Sequence, residues 1–254
     1  MSGYRPKNKE EDFSYRHYNE ILAHLRSTHK PLTFKDAYSL KNDILKTENY
    51  ILLRHDVEES LFRALDLAEI DHKNDFRSTF FILLTGKYNC FSEHNARNIR
   101  EIINYGHEIG LHYDVTKLND SCSLEDQIVQ QIKMIEVFFD IDVKSIAPHM
   151  PMRNGVVLDI DGYKNTYNDI LFRKTLYITD SSQKWRKDAF NKLLKHKGGI
   201  QLLIHDNTWS KDSHSIQAIS ILENIEELQY NIDSSLKYIN QYRLGIDMRK
   251  VNDK

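Results

Sequence analysis

Tyr50-Ile-Leu-Leu-Arg-His-Asp-Val-Glu58 is an apolar run that ends in four ionisable residues within five positions. The run from Tyr50 to Leu53 is apolar throughout, which is typical of a parallel strand covered on both faces. Side chains at the carboxyl end of such a strand point into the crevice where α/β proteins bind ligands. Because side chains alternate along a strand, Asp56 and Glu58 share a face and lie about 6–7 Å apart. Two carboxylates at that spacing can hold a cation.

A structural explanation of the same residues stays open. Arg54, His55 and the two acids would then form a salt-bridge cluster at a strand end, beside a helix N-terminus that favours acidic groups. Two more apolar runs also end in histidine: His107-Glu-Ile-Gly-Leu-His112 and Ile200-Gln-Leu-Leu-Ile-His205. Three strand ends that carry metal-binding or acid–base groups favour a functional site over the salt-bridge cluster.

The composition is that of a globular α/β protein. At 254 residues the chain suits one (β/α) barrel, and we predict a single domain over residues 13–254 after a flexible tail over residues 1–12. The chain is 40% apolar and 28% charged, with a mean hydropathy of −0.59, which provides enough apolar material for a core. Cys90 and Cys122 lack CxxC spacing, so we expect free thiols and neither a disulfide framework nor a thiolate zinc site.

The charge balance argues against two classes of partner. The chain has 35 Lys and Arg residues against 37 Asp and Glu residues, so no strong field draws it to nucleic acid or to an anionic membrane. Its first twelve residues are polar and charged, and no later apolar run approaches the length of a membrane span. We therefore expect a cytoplasmic protein that neither binds nucleic acid nor inserts into a membrane.

Apolar periodicity alternates between strand and helix along the chain. Two helices come first: one from about Tyr15 to Leu25, closed by Pro31, and one that begins with a capping box of Thr33 and Asp36 and continues through Ile44. The alternation that follows predicts a parallel sheet. The expected strands are 50–56, 79–84, 107–112, 143–147, 176–179 and 200–204, and the expected later helices are about 61–68, 93–105, 124–139, 188–195 and 213–243.

Residues 148–174 lose this regularity. Prolines and glycines are frequent there, so we predict a long loop near the site. Six or seven strand–helix units indicate an α/β fold in which the sheet is a closed or nearly closed barrel, with extra helices at both termini.

Five segments in order resemble the polysaccharide deacetylases, which are the NodB-homology carbohydrate esterases, and in particular the branch whose first motif reads Arg-His-Asp-Val-Asp. The segments are Leu53-Arg-His-Asp-Val-Glu58, Arg77-Ser-Thr-Phe-Phe81, Gly106-His-Glu-Ile-Gly-Leu-His-Tyr-Asp114, Tyr177-Ile-Thr-Asp-Ser181 with Trp185-Arg186, and Gln201-Leu-Leu-Ile-His205 with Trp209. The resemblance implies a distorted (β/α) barrel of about seven parallel strands, with a metal-dependent deacetylation site at their carboxyl ends. It maps the general base onto Asp56 and a metal ligand onto Glu58.

The chain departs from the family pattern at two ligand positions. Glu58 stands where the family has Asp, which moves the carboxylate by roughly 1.5 Å and keeps an oxygen donor. The family's second histidine, four positions after the one that matches His112, is replaced by Thr116. The candidates for the missing ligand are Asp114, His107 and His149; strand alternation disfavours His107. We favour His149, which follows a predicted strand where another family motif falls.

A metal-dependent hydrolase that removes an acetyl group from an N-acetylated sugar or polysaccharide precursor is the function that the resemblance implies. Its ligand would be a carbohydrate or a sugar nucleotide. One divalent cation can activate water and stabilise an oxyanion, and zinc suits two imidazoles and one carboxylate. The site residues that we predict are Asp56 and His205 as base and acid, Glu58, His112 and His149 as metal ligands, and His55, Asp180, Trp185 and Trp209 as substrate-binding residues.

A second function fits the same sequence. The chain would be a catalytically degenerate protein of this fold that has lost the second histidine and acts as a sugar-binding or scaffold component of surface-polysaccharide biosynthesis. Asp180 and His205 also have a plain explanation, as residues at strand ends and turns. The C-terminal amphipathic helix, compatible with either function, is the expected contact for a homo-oligomer.

Overall fold

The computed structural model of this protein describes Lys9 and residues 11–40, 48–120, 122–186 and 188–243. Contacts divide the chain into two compact units, one that ends at Ile216 and one that begins at Gln217. The single domain predicted for residues 13–254 stays a prediction, as does the flexible tail, which lies mostly outside the described residues. In the part of the chain that is described, no helix combines the length and the apolar composition that crossing a bilayer requires.

Within the described residues, eight parallel strands form one sheet. They are β1 (Lys30–Leu32), β2 (Tyr50–Val57), β3 (Thr79–Leu83), β4 (Glu108–Tyr113), β5 (Ser145–Pro148), β6 (Lys164–Asn165), β7 (Leu176–Thr179) and β8 (Gly199–His205). Seven of them follow the order β6-β5-β4-β3-β2-β8-β7, and β1 pairs with β2 off this path. The sheet curls into a half-barrel. The predicted distorted (β/α) barrel of about seven parallel strands is confirmed.

Helices alternate with the strands along most of the chain. They are α1 (Tyr15–Thr28), α2 (Phe34–Ser39), α3 (Leu61–Lys73), α4 (Glu93–Asn104), α5 (Leu124–Phe139), α6 (Pro151–Asn154), α7 (Ala189–Lys195) and α8 (Ile216–Arg243), with a short 3-10 turn at Val115–Lys117. The capping box of Thr33 and Asp36 is present at the start of α2. The predicted continuation through Ile44 lies outside the described residues.

The central strand β2 is buried along its whole length and serves two cores. Tyr50 and Leu52 point into the barrel and join the inner core. Ile51 and Leu53 point outward and pack with α1 and α7. A strand covered on both faces requires this alternation. It places the side chain of Asp56 on the face that points into the barrel, at the carboxyl end of β2.

Gly110 allows three neighbouring strands to approach closely at the centre of the sheet. A Cβ atom placed on it would lie 2.6 Å from ring carbons of Phe81 on β3 and 2.7 Å from the carbonyl oxygen of Ser145. Such distances are below van der Waals contact, so only glycine fits. The close approach holds β4 against its two neighbours, and it thereby helps to position His112 two residues later in the same strand.

Two short strands were not predicted. Pro31 lies in β1, which pairs with the first half of β2, whereas β3 pairs with the second half. The proline is tolerated because β1 is at an edge. Residues 148–174, predicted as a loop, contain α6 and β6. Both β1 and β6 are shorter than the window over which apolar alternation can be recognised.

Candidate metal centre and acid–base site

Three side chains from different strand ends converge at the carboxyl edge of the sheet. Glu58 follows β2, His112 is on β4, and His149 follows β5. His112 Nε2 lies 3.4 Å from Glu58 Oε1, His149 Nδ1 lies 3.0 Å from the same oxygen, and the two ring nitrogens are 3.2 Å apart. The structure therefore brings together the three residues that were predicted to be metal ligands.

The spacing of these three atoms fits a tetrahedral zinc site. Ligand atoms about 2.0–2.1 Å from a tetrahedral Zn²⁺ lie about 3.3 Å from one another. The ring of His112 is also oriented for this role, because its Nδ1 is 2.9 Å from the carbonyl oxygen of Ala147 and can donate to it, which leaves the Nε2 lone pair facing Glu58. Two imidazole nitrogens and one carboxylate oxygen are a donor set that zinc prefers.

Asp56 lies beside this group and is held by an arginine from its own strand. Arg54 Nε and Nη2 each donate to one oxygen of the Asp56 carboxylate at 2.7 Å, and both side chains are buried. Burial by itself raises the pKa of Asp56, but Arg54 and His112 outweigh it and hold this pKa below its usual range. Asp56 is therefore ionised at neutral pH and can accept a proton.

Arg54 is a further site residue, which was not predicted from the sequence. Its guanidinium carbon lies 5.6 Å from the ring centre of Phe81 and 5.5 Å from that of Tyr167, so it is enclosed within the barrel. The signal was present in the sequence. Arg54 is two positions before Asp56, and residues two apart share a face of a strand.

His205 ends β8 and is paired with Asp180. His205 Nδ1 lies 2.6 Å from Asp180 Oδ1, and Trp209 Nε1 donates to the other oxygen of this carboxylate at 2.8 Å. Burial alone lowers the pKa of His205, but attraction to Asp180, Asp56 and Glu58 exceeds this effect and raises the pKa to about 9. His205 is therefore protonated at neutral pH and can donate a proton.

The base candidate and the acid candidate face the same small space. Asp56, Glu58 and His205 each offer an atom, and these atoms lie within 4.8 Å of one another. Asp56 and His205 each have a partner of their own: Arg54 bonds Asp56, and Asp180 bonds His205. A proton acceptor and a proton donor thus flank Glu58 and the two ring nitrogens that face it.

The structure does not bring the predicted substrate-binding residues to this space. His55 lies on the outer face of β2, where its Nε2 is 2.8 Å from Asp71 and its ring stacks on Phe80. Alternation along β2 makes this necessary, since Asp56 points inward. His55 therefore does not reach the site, and its predicted role in binding substrate is corrected. Asp180 is fully buried and engaged by His205, so it supports that residue and is not open to a sugar.

The two tryptophans also occupy the core. Trp209 is fully buried, with ring centroids 5.0 Å from Tyr18 and 5.1 Å from Phe13. Trp185 is buried and stacks on Phe13 at 5.9 Å. A side chain enclosed by protein cannot stack on a sugar ring. The predicted substrate-binding role of both tryptophans is therefore corrected, because they are core residues.

The other ligand candidates are engaged elsewhere. His107 lies under the outer helices, and its Nε2 is 3.0 Å from the carbonyl oxygen of Ala68. Asp114 Oδ1 accepts hydrogen bonds from the backbone and the hydroxyl of Thr116. Thr116 therefore supports a turn at the position where the family pattern has its second histidine.

Solved structures similar to this chain include carbohydrate esterases and deacetylases. A CE4 family pseudoenzyme from Bacillus anthracis is 18% identical, with a TM-score of 0.43 over 72% of this chain and 62% of that chain. The chitin deacetylase from the fungal pathogen Colletotrichum lindemuthianum is 17% identical, with a TM-score of 0.40 over 67% of this chain and 79% of that chain. A peptidoglycan deacetylase from Bacillus subtilis is 14% identical, with a TM-score of 0.41 over 79% of this chain and 99% of that chain.

These similarities concern the fold alone. The aligned part of the chain spans 62% of the length of the Bacillus anthracis pseudoenzyme. No known family model and no curated protein matches the chain. Function is therefore inferred from the side chains of the site.

Proposed function

We propose that this protein is a metal-dependent hydrolase that removes an acetyl group from an N-acetylated sugar or polysaccharide precursor. The observation that carries the proposal is the convergence of Glu58, His112 and His149, with ligand atoms 3.0–3.4 Å apart. A carboxylate and an imidazole that suit base and acid roles flank these three residues. Metal-dependent amide hydrolysis at neutral pH uses this combination.

Glu58, His112 and His149 would hold a divalent cation, most suitably zinc. When bound, such a cation supplies Lewis-acid polarisation of the acyl oxygen and lowers the pKa of water. Asp56 accepts the proton of the attacking water, because Arg54 keeps it ionised and fixes the direction of its oxygens. His205 donates a proton to the departing nitrogen, because Asp180 keeps the ring charged and oriented.

The experiment combines metal analysis with acetate release. Purified protein is assayed for bound zinc by mass spectrometry and for acetate released from N-acetylglucosamine oligomers, with Asp56→Asn as the matched inactive control. We expect about one zinc per chain in both proteins, and acetate release by the wild type alone. A wild type that binds no zinc and releases no acetate would refute the proposal.

A catalytically degenerate sugar-binding protein is the second candidate. The observation that favours it is Thr116, whose hydroxyl bonds Asp114 where the family pattern places a ligand. Chelator treatment distinguishes the two, because a metal that binds only the folded state stabilises it by mass action. An enzyme with an intact centre loses thermal stability when treated with EDTA, whereas a degenerate site binds sugar oligomers without any response to EDTA.

A further inference from the structure

Glu58 lies just beyond the part of β2 whose backbone is fixed by strand pairing. The pairing of β2 with β3 ends at Val57, and its pairing with β8 ends at Asp56. A glutamate side chain also has one more rotatable bond than an aspartate. A ligand at this position needs another source of rigidity if its carboxylate is to meet two histidines.

Asp206 supplies that rigidity from the end of the neighbouring strand. This residue is 1% exposed, and its carboxylate accepts hydrogen bonds from three successive backbone N–H groups. Glu58 N donates to Oδ1 at 2.8 Å, Glu59 N donates to Oδ2 at 3.1 Å, and Ser60 N donates to the same oxygen. An anion held by consecutive N–H groups fixes the local backbone strongly, since each bond is charge-assisted.

Two further contacts hold the same peptide segment. The hydroxyl of Tyr88 donates to the carbonyl oxygen of Val57 at 2.7 Å and accepts from Leu83 N at 3.1 Å. Gly86 packs closely, because an added Cβ would lie 3.2 Å from the carbonyl oxygen of Glu58. The backbone that carries Glu58 is therefore held at its N–H groups, by its preceding carbonyl and by direct packing.

We infer that Asp206 is a positioning residue for Glu58, which it aims at His112 and His149 by fixing the backbone between β2 and α3. The inference rests on the metal site proposed above and adds a residue to it. His205 and Asp206 are adjacent at the end of β8 and then have different roles. His205 faces the reacting groups, and Asp206 holds the strand end that provides a ligand.

The simpler explanation is that Asp206 only stabilises the start of α3, where an acidic group is favoured. Ser60 provides a matched control for this explanation. Its side chain accepts from Arg63 N and caps the same helix, yet Ser60→Ala keeps the backbone N–H that Asp206 binds. If Asp206 acted only by capping the helix, Ser60→Ala and Asp206→Asn would therefore change zinc affinity equally.

The test is the zinc affinity of the folded protein, measured by competition with a chelator of known affinity. We expect Asp206→Asn to weaken zinc binding about 10–100-fold, the usual loss for a residue that orients a ligand. Ser60→Ala should lower the melting temperature and keep wild-type affinity. If Asp206→Asn does not fold, Asp206→Glu, which keeps the charge but displaces it, should give an intermediate loss.

Three outcomes would overturn the inference. Wild-type zinc affinity in Asp206→Asn and Asp206→Glu would show that Glu58 is positioned without Asp206. Equal losses of affinity in Asp206→Asn and Ser60→Ala would reduce its role to helix capping. A wild type that binds no zinc would overturn the inference and the proposed metal site together, whereas the first two outcomes leave the proposed function intact.

Discussion

Replacing Asp180 with asparagine should lower the pKa of His205 by about 2 units. The Asp180 carboxylate lies 2.6 Å from His205 Nδ1, and its attraction offsets the burial that otherwise lowers the pKa of this ring. Two unit charges about 4 Å apart interact by roughly 4 kcal/mol at an effective dielectric constant of 20, which corresponds to about 3 pKa units. The amide oxygen of the introduced asparagine can still accept a hydrogen bond from Nδ1, so the expected shift is smaller than this limit.

Titration of the imidazole nitrogens by NMR in metal-free protein measures this shift directly. The wild-type ring should titrate near the pKa of about 9 that its neighbours produce. Asp212→Asn is the matched control, because it removes a carboxylate 4.0 Å from the surface residue His214. Its effect on His205 should be negligible, since exposed charges are screened. A His205 pKa that is unchanged in Asp180→Asn would refute the argument that this pair keeps the ring charged.

The same shift should appear in the pH dependence of stability. The folded pKa of His205 is raised above 6.5, so the pair stabilises the metal-free protein fully below about pH 6.5, and this contribution is lost as the pH rises through about 9. Urea unfolding at a series of pH values should therefore show the largest difference between wild type and Asp180→Asn below pH 6.5. A difference that is constant up to pH 10 would contradict the pairing.

Three other substitutions test separate parts of the structure. Glu58→Ala should abolish zinc binding measured by mass spectrometry, and with it the effect of EDTA on the melting temperature. His205→Ala should lower kcat for acetate release by about 10²–10⁴ and leave zinc affinity nearly unchanged, as expected for a general acid; full turnover would show that the role is misassigned. Gly110→Ala should lower the free energy of unfolding by about 1–3 kcal/mol in urea titrations, because its methyl group would overlap the ring of Phe81; wild-type stability would contradict the close packing.

The convergence of the candidate site residues was predictable from the sequence, because strand ends in a parallel sheet meet at one edge. His112 and His205 each end an apolar run, and Glu58 ends a third. The same rule of alternation that places Asp56 inward places His55 outward. The incorrect prediction that His55 binds substrate could therefore have been avoided. Arg54 was predictable on the same ground.

Other parts of the site depend on contacts between distant segments. Trp209 bonds Asp180 in the core, and an aromatic residue after a strand gives no sign of whether it points to the core or to a ligand. Asp206 reaches a backbone about 150 positions earlier in the chain, and no spacing rule connects them. The strands β1 and β6 are set by their neighbours, because segments of two or three residues have too little pattern of their own.

The strand order has a consequence for synthesis on the ribosome. β2 lies between β3 and β8, and β8 is made roughly 140 residues after β2. At about 5–20 residues per second, translation leaves one edge of this apolar strand without its final partner for on the order of 10 s. An open edge of that kind pairs readily with other chains. Nascent chains that stall before Gly199 should therefore aggregate or recruit chaperones, whereas chains that extend past β8 cover this edge.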